Sequence, residues 1–283
     1  QSPGDQASIA FYRALYGNHP YALRPEGTQA GLKAIVRDDL LAFHRRYYAG
    51  SNAVLAIVGD VSLREARRIA RHVLGGLPRG EHAPAIPPVP DPDPGVRGQP
   101  QRISFPSTQS HILMGEAGMT RNDPDYFPLY VGNHILGGSG LVSRLSDEIR
   151  EKRGLSYSVY SYFVPMRERG PFSMGLQTRN KESERALRVM RDTLEKFVAD
   201  GPTEKELESA KKNLTGGFPL RLDSNGKIAD NLAMIGFYGL PLDYLNTFIG
   251  KVDAVSVEQV RDAFKRRIHP AHMVTVIVGG KDR

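Results

Sequence analysis

The sequence contains no cysteine, which excludes disulfide staples and thiolate-bound metal alike. It contains no apolar run near the roughly 18–20 residues that a bilayer-crossing helix needs, so no helical membrane span is expected. The opening residues carry no secretory pattern. The chain begins with Gln1 and no methionine, and it is expected to be a processed or truncated product. None of the eight histidines stands in the His-Glu-x-x-His spacing, or its inversion, that sets two imidazoles on one helical face around zinc. His269 and His272 flank a proline and read as surface residues; His111 reads as a core or hydrogen-bonding histidine in a strand.

What is present is an ordinary globular composition, with 40% apolar residues in a chain of 283. That length fits two domains or one large one. The net charge is +7, but the basic residues are spread along the chain and interleaved with acids. This describes a solvated surface better than a nucleic-acid footprint, and no nucleic-acid partner is expected. One stretch stands apart: "APAIPPVPDPDPGVRGQP", residues 83–100. Proline at this density fits neither a helix nor an inner strand and favours an extended spacer. It is expected to be a linker between residues 1–82 and residues 101–283.

An internal repeat underlies both blocks. "IVRDDLLAFHRRYYAGSNAVLAIVGD" (35–60) and "VSVEQVRDAFKRRIHPAHMVTVIVGG" (255–280) align without a gap at an offset of 220. Each reads as an amphipathic helix, a short basic turn, an apolar strand and a glycine. "ALYGNHP" (14–20) loosely echoes "GFYGLP" (236–241). The ungapped length favours a duplication. The second copy is preceded by about 120 residues that have no counterpart before the first, so the first domain is expected to be incomplete.

In the second block, "SHILMGEAG" predicts a buried strand. "YFPLYVGNHILGG" predicts a helix ending in glycines. "LVSRLSDEIREKRG" predicts a helix with Leu141, Leu145 and Ile149 on one face and a stop at Gly154. "YSVYSYFV" and "PFSMGLQT" predict a hairpin that begins with Tyr157. Leu187, Met190, Leu194 and Phe197 form one helical stripe. Thr203 with Glu206, and Ser256 with Gln259, are capping boxes. Strands in hairpins and helices in runs predict an α+β fold: two homologous domains with mixed, largely antiparallel sheets and helices packed on one face.

Two segments offer chemistry. "GGSGLVSR" opens a helix as a phosphate loop does, but lacks the lysine-serine ending. It reads as a flexible loop beside a cleft, carried by Gly137, Gly138 and Gly140. In "EIREKRGLSYSVY", Arg150 closes a helix, where a cation is favourable against the carbonyl end. Gly154 supplies the helix stop, and Tyr157 follows on the next element. A guanidinium and a phenol both donate hydrogen bonds to a peptide carbonyl or an oxyanion. Ordinary capping and packing would account for the same residues.

"LGGSGLVSRLSDEIREKRGLSYSVYSYF" resembles the C-terminal domain of the pitrilysin-like (insulinase-like) zinc peptidases, in particular the bacterial two-subunit branch related to mitochondrial processing peptidase. "YGNHPYALRPEGT" and "DDLLAFHRRYYAGSNAVLAIVGDV" resemble the second half of that family's N-terminal domain. The resemblance implies tandem homologous domains and a peptide hydrolase. It also implies zinc held by His-x-x-Glu-His plus a distant glutamate, all in a region without a match in this sequence. No metal ligand and no catalytic residue therefore carries over, and the zinc is expected in a partner subunit or in a segment upstream of residue 1. The family's substrate-holding arginine and tyrosine match Arg150 and Tyr157. The chain is accordingly expected to be the non-catalytic subunit, or the C-terminal portion, of a zinc metalloendopeptidase. Its expected partners are a homologous subunit bearing the zinc motif and a peptide or unfolded polypeptide substrate. The alternatives are a fragment of a full-length active zinc peptidase and a structural scaffold subunit. A bacterial periplasmic location is the expectation for this branch.

Overall fold

The computed structural model describes residues 2–90 and 99–280. Ten α-helices occur in it: α1 (Pro3–Tyr16), α2 (Gln29–Ala34), α3 (Arg37–Tyr47), α4 (Leu63–Leu74), α5 (Tyr126–Asn133), α6 (Ser183–Asp200), α7 (Glu204–Gly217), α8 (Asn225–Tyr238), α9 (Tyr244–Asp253) and α10 (Val257–Arg267). Five strands join them: β1 (Gln101–Ser104), β2 (Gln109–Ala117), β3 (Val159–Phe163), β4 (Pro171–Arg179) and β5 (Val274–Gly279). The chain divides into two compact units. One comprises residues 1–24, 87–214 and 250–283; the other comprises 25–86 and 215–249.

Among the described residues, the first unit holds a single sheet in the order β1-β5-β2-β4-β3. β1 and β5 pair in parallel and every other pair is antiparallel. This is the mixed, largely antiparallel α+β arrangement that the hairpin spacing predicts. On one face, Phe163 and Phe172 of the β3–β4 hairpin meet Phe264 of α10 and Phe197 of α6, with neighbouring ring centroids 4.6–6.2 Å apart. The predicted stripe of Leu187, Met190, Leu194 and Phe197 is buried along α6. The opposite face is closed by α1, whose Ala7, Phe11 and Leu15 pack with Ala117, Val274, Val276 and Val278. A helix from the extreme N-terminal sequence thus completes the core of the later block, an arrangement that sequence order does not suggest.

The expected linker, 83–100, includes residues 91–98, which lie outside the described residues. Before them, Val89 is buried in the core that α1 covers. His19 Nε2 donates to the Pro87 carbonyl at 2.8 Å, and Arg169 donates to the Val89 carbonyl at 2.9 Å.

The repeat is visible element by element. α3 and α10 have the same length and sit at the same offset of 220, as do the 3₁₀ turns Gly50–Asn52 and Pro270–His272. α1 and α8 are both 14 residues long, and each is followed by a glycine. The copies diverge at the strand. β5 is flanked on both sides by hydrogen-bonded neighbours, whereas residues 54–58 belong to no sheet among the described residues. Val54 is 51% exposed, against 5% for its counterpart Val274. Within this second unit, Gly236 of α8 lies against Val54.

Candidate functional site

Residues 134–164 form a helix-turn-strand unit in the first domain-like unit. α5 ends at Asn133 and passes into a π-helical turn, His134–Gly138. A 3₁₀ turn, Gly140–Val142, follows, and then a second π-helical turn, Ser146–Glu151. Wide turns of this kind rotate the side chains that follow them out of the α-helical register. Leu145 and Ile149 are buried as their spacing predicts, but Leu141 is 63% exposed. It sits in the 3₁₀ turn and not on a continuous helix, so it leaves the predicted stripe.

Gly137 lies where the first π turn crosses β3. A Cβ there would fall 2.6 Å from Ser161 N and nearer still to Ser161 Oγ. Gly138 is the last residue of that turn. Gly140 has φ +64 and opens the next turn. The crossing is fastened by a buried polar pair: Asn133 Nδ2 donates to the Ser161 carbonyl at 3.1 Å, and Ser161 Oγ donates to Asn133 Oδ1 at 2.7 Å. The sequence holds a faint signal of this pair, a lone amide within the apolar run "LYVGNHIL"; Ser161 gave none.

Arg150 sits in the second π turn. Gly154 ends the turn at φ +57, a left-handed conformation that costs L side chains roughly 1–2 kcal/mol. Its N–H donates to the Arg150 carbonyl at 3.0 Å, and Leu155 N–H donates to the Ile149 carbonyl at 2.9 Å. Tyr157 does not begin β3, as the spacing predicts; the strand begins at Val159. Tyr157 is 83% exposed. The Arg150 guanidinium lies over its ring, with Cζ 4.7 Å from the ring centroid. A cation over a tyrosine face at this distance is attracted by the ring quadrupole, by about 0.5–1 kcal/mol at an exposed site. Arg150 Nε is also 3.4 Å from Glu151 Oε1. Among the described residues, no hydrogen bond engages the Tyr157 hydroxyl or the two outer guanidinium nitrogens of Arg150. The structure therefore brings the two donor-bearing side chains together and leaves most of their donors unspent.

Among the described residues, no group of three or more His, Cys, Asp or Glu side chains is arranged to hold a metal ion. His19 uses both ring nitrogens in hydrogen bonds to the backbone. The His269 ring pairs with Glu116, at 3.4 Å, and stacks on His272. These donor sets do not fit zinc.

The family described as the peptidase M16 inactive domain matches residues 34–214, which include the whole of this site. The chain belongs to that family. An uncharacterised zinc protease of Streptomyces coelicolor is 26% identical over 284 residues, covering 99% of this chain and 62% of that protein. One of Mycobacterium leprae is 32% identical, covering 91% of this chain and 58% of that protein. A Helicobacter pylori relative, 26% identical, is named a non-peptidase homolog. The chain thus spans about three-fifths of the length of these curated relatives. Among solved structures, the peptidase M16 inactive domain from Pseudomonas fluorescens superposes with a TM-score of 0.94 at 40% identity, covering 100% of this chain and 66% of that one. The periplasmic protease PqqL from Escherichia coli shares the fold, with a TM-score of 0.77 at 18% identity, covering 99% of this chain and 31% of that one.

Proposed function

We propose that this M16 inactive domain is the substrate-holding, non-catalytic part of a zinc metalloendopeptidase. Arg150 and Tyr157 would donate hydrogen bonds to the backbone of a peptide that lies at a zinc site carried outside this chain. The observation that carries the reading is the Arg150–Tyr157 pair, stacked at 4.7 Å, with the tyrosine exposed, the arginine half-buried and its outer donors uncommitted. A buried or internally satisfied pair would have nothing to offer a substrate. The zinc site would supply the activated water, and the extended substrate would add main-chain hydrogen bonds along a sheet edge there. This chain's own contribution is orientation, and donors preorganised toward the scissile carbonyl.

In a two-subunit enzyme, the partner would be a homologous subunit bearing the zinc motif. A second arrangement is favoured by the curated relatives, named zinc proteases, whose length this chain only partly spans. There the zinc motif lies on the same longer polypeptide, and Arg150 and Tyr157 keep their role. The test in either case is Arg150→Ala in the assembled enzyme, assayed by cleavage of an unfolded polypeptide. Loss of one such donor is expected to lower turnover by about a hundredfold, roughly 3 kcal/mol, with the fold unchanged by circular dichroism. Unaltered turnover would overturn the assignment.

A further inference from the structure

The donor pair depends on Tyr157 leaving the strand that its sequence context would have it join. β3 and β4 are antiparallel, with Val159 opposite Leu176 as the last pair. Two more residues of the same register would set Thr178 opposite Tyr157 and fix the tyrosine in the sheet. The ladder stops short of that pair. Thr178 still lies within β4, pairs with Ser110 of β2 on its other side, and is buried. Its hydroxyl donates instead to the Leu155 carbonyl at 2.6 Å, inside the protein. Leu155 is consequently held at three points: its side chain is buried, its N–H is bonded to Ile149, and its carbonyl is bonded to Thr178. Arg150 lies five residues before this anchor and Tyr157 two residues after it.

We propose that Thr178 is a positioning residue. Its side-chain hydrogen bond to Leu155 takes the place of a β3–β4 rung, ends the strand early, and holds Tyr157 out of the sheet beneath the Arg150 guanidinium. The bond is short and buried, so removing the donor leaves a carbonyl unsatisfied, which drives the segment to rearrange. The rearrangement that the register offers is the missing pair itself, with Tyr157 drawn into the ladder and away from Arg150. The functional value of this geometry rests on the proposed substrate-holding role of the pair; the geometry itself does not.

The test uses the chain alone, in three variants: Thr178→Val, which keeps the shape and removes the donor; Thr178→Ala, which removes it into a smaller side chain; and Thr178→Ser, which keeps it. The readout is the upfield ring-current shift of the Arg150 Hδ protons by ¹H–¹³C NMR on arginine-labelled protein. The peak is assigned by its loss in Arg150→Lys, and Tyr157→Leu defines the unstacked value. T178V and T178A are expected to move the shift most of the way to the Y157L value while retaining a cooperative melt, and T178S is expected to keep the wild-type shift. A wild-type shift in T178V or T178A would overturn the proposal. So would loss of the shift in T178S, because packing of the methyl group would then be responsible. If the donor-less variants do not fold, the wild-type chain decides: a slowly exchanging Thr178 hydroxyl proton supports the bond, and one exchanging at the solvent rate overturns it. No partner, metal or substrate enters these measurements, so their outcome is separate from that of the cleavage assay.

Discussion

At the scale of single residues, two carboxylates titrate in opposite senses. Glu206 opens α7 and receives the Arg144 guanidinium on both oxygens, at 2.6 and 2.7 Å. Burial alone would raise its carboxyl. The Arg144 fork and the Thr203 N–H and hydroxyl together outweigh that effect and bring it down from 4.5 to about 2. A depressed folded value means stability present above the unfolded value and lost as pH falls through the folded one. This contribution should therefore disappear between pH 4.5 and about 2, and after solvent screening it amounts to about 1–2 kcal/mol. Glu116 is the reverse. Burial pushes its carboxyl above the ordinary range, against the pull of the His269 N–H at 2.7 Å. Its contribution is fully present below the unfolded value and is lost as pH rises through the raised folded one. Urea titrations across pH should show both limbs. Glu206→Gln is expected to flatten the acid limb alone and Glu116→Gln the upper limb alone. A Glu206→Gln variant that keeps the wild-type acid limb would contradict the assignment.

At the scale of elements, the π turn His134–Gly138 and β3 are fitted to one another through Gly137, Ser161 and Asn133. Gly137→Ala should cost about 1–3 kcal/mol through overpacking against the Ser161 backbone, read as a lower urea midpoint at an unchanged slope. A neutral outcome would mean that the crossing is looser than described. The contrast between elements shows what was legible beforehand. The boxes Thr203–Glu206 and Ser256–Gln259 form as predicted, because a capping box is decided within four residues. The α6 stripe and the matched helices α3 and α10 were legible for the same local reason. The π turns, the displacement of Leu141 and the early end of β3 were not. The early end of β3 goes with a contact between residues far apart in sequence, Thr178 with Leu155, and the first π turn crosses β3 at another, Asn133 with Ser161. Arg150 and Tyr157 could be singled out from the sequence, but the side chain that holds them in place carries no motif of its own.

At the scale of the whole molecule, the two repeat segments have unlike surroundings. β5 sits between two neighbouring strands, while its counterpart at residues 54–58 has no sheet around it among the described residues. α1 closes the sheet of the first unit, which accounts for why the chain does not divide at the proline-rich stretch alone. The net charge of +7 is dispersed, and many arginines are spent on ion pairs, such as Arg144 with Glu206, and Arg266 and Arg267 with Asp125. Binding to a random DNA duplex should accordingly be weak and should vanish by about 200 mM salt; tight, salt-resistant binding would contradict the peptidase reading. The most direct test of the central claim is cleavage of an unfolded polypeptide by this chain alone, by a homologous subunit bearing the zinc motif alone, and by the two together, each with wild-type and Arg150→Ala protein. The account predicts turnover in the wild-type mixture, none from this chain alone, and a drop of about a hundredfold in the mixture carrying the substitution. Turnover by this chain alone, or a substituted mixture as active as the wild type, would contradict it.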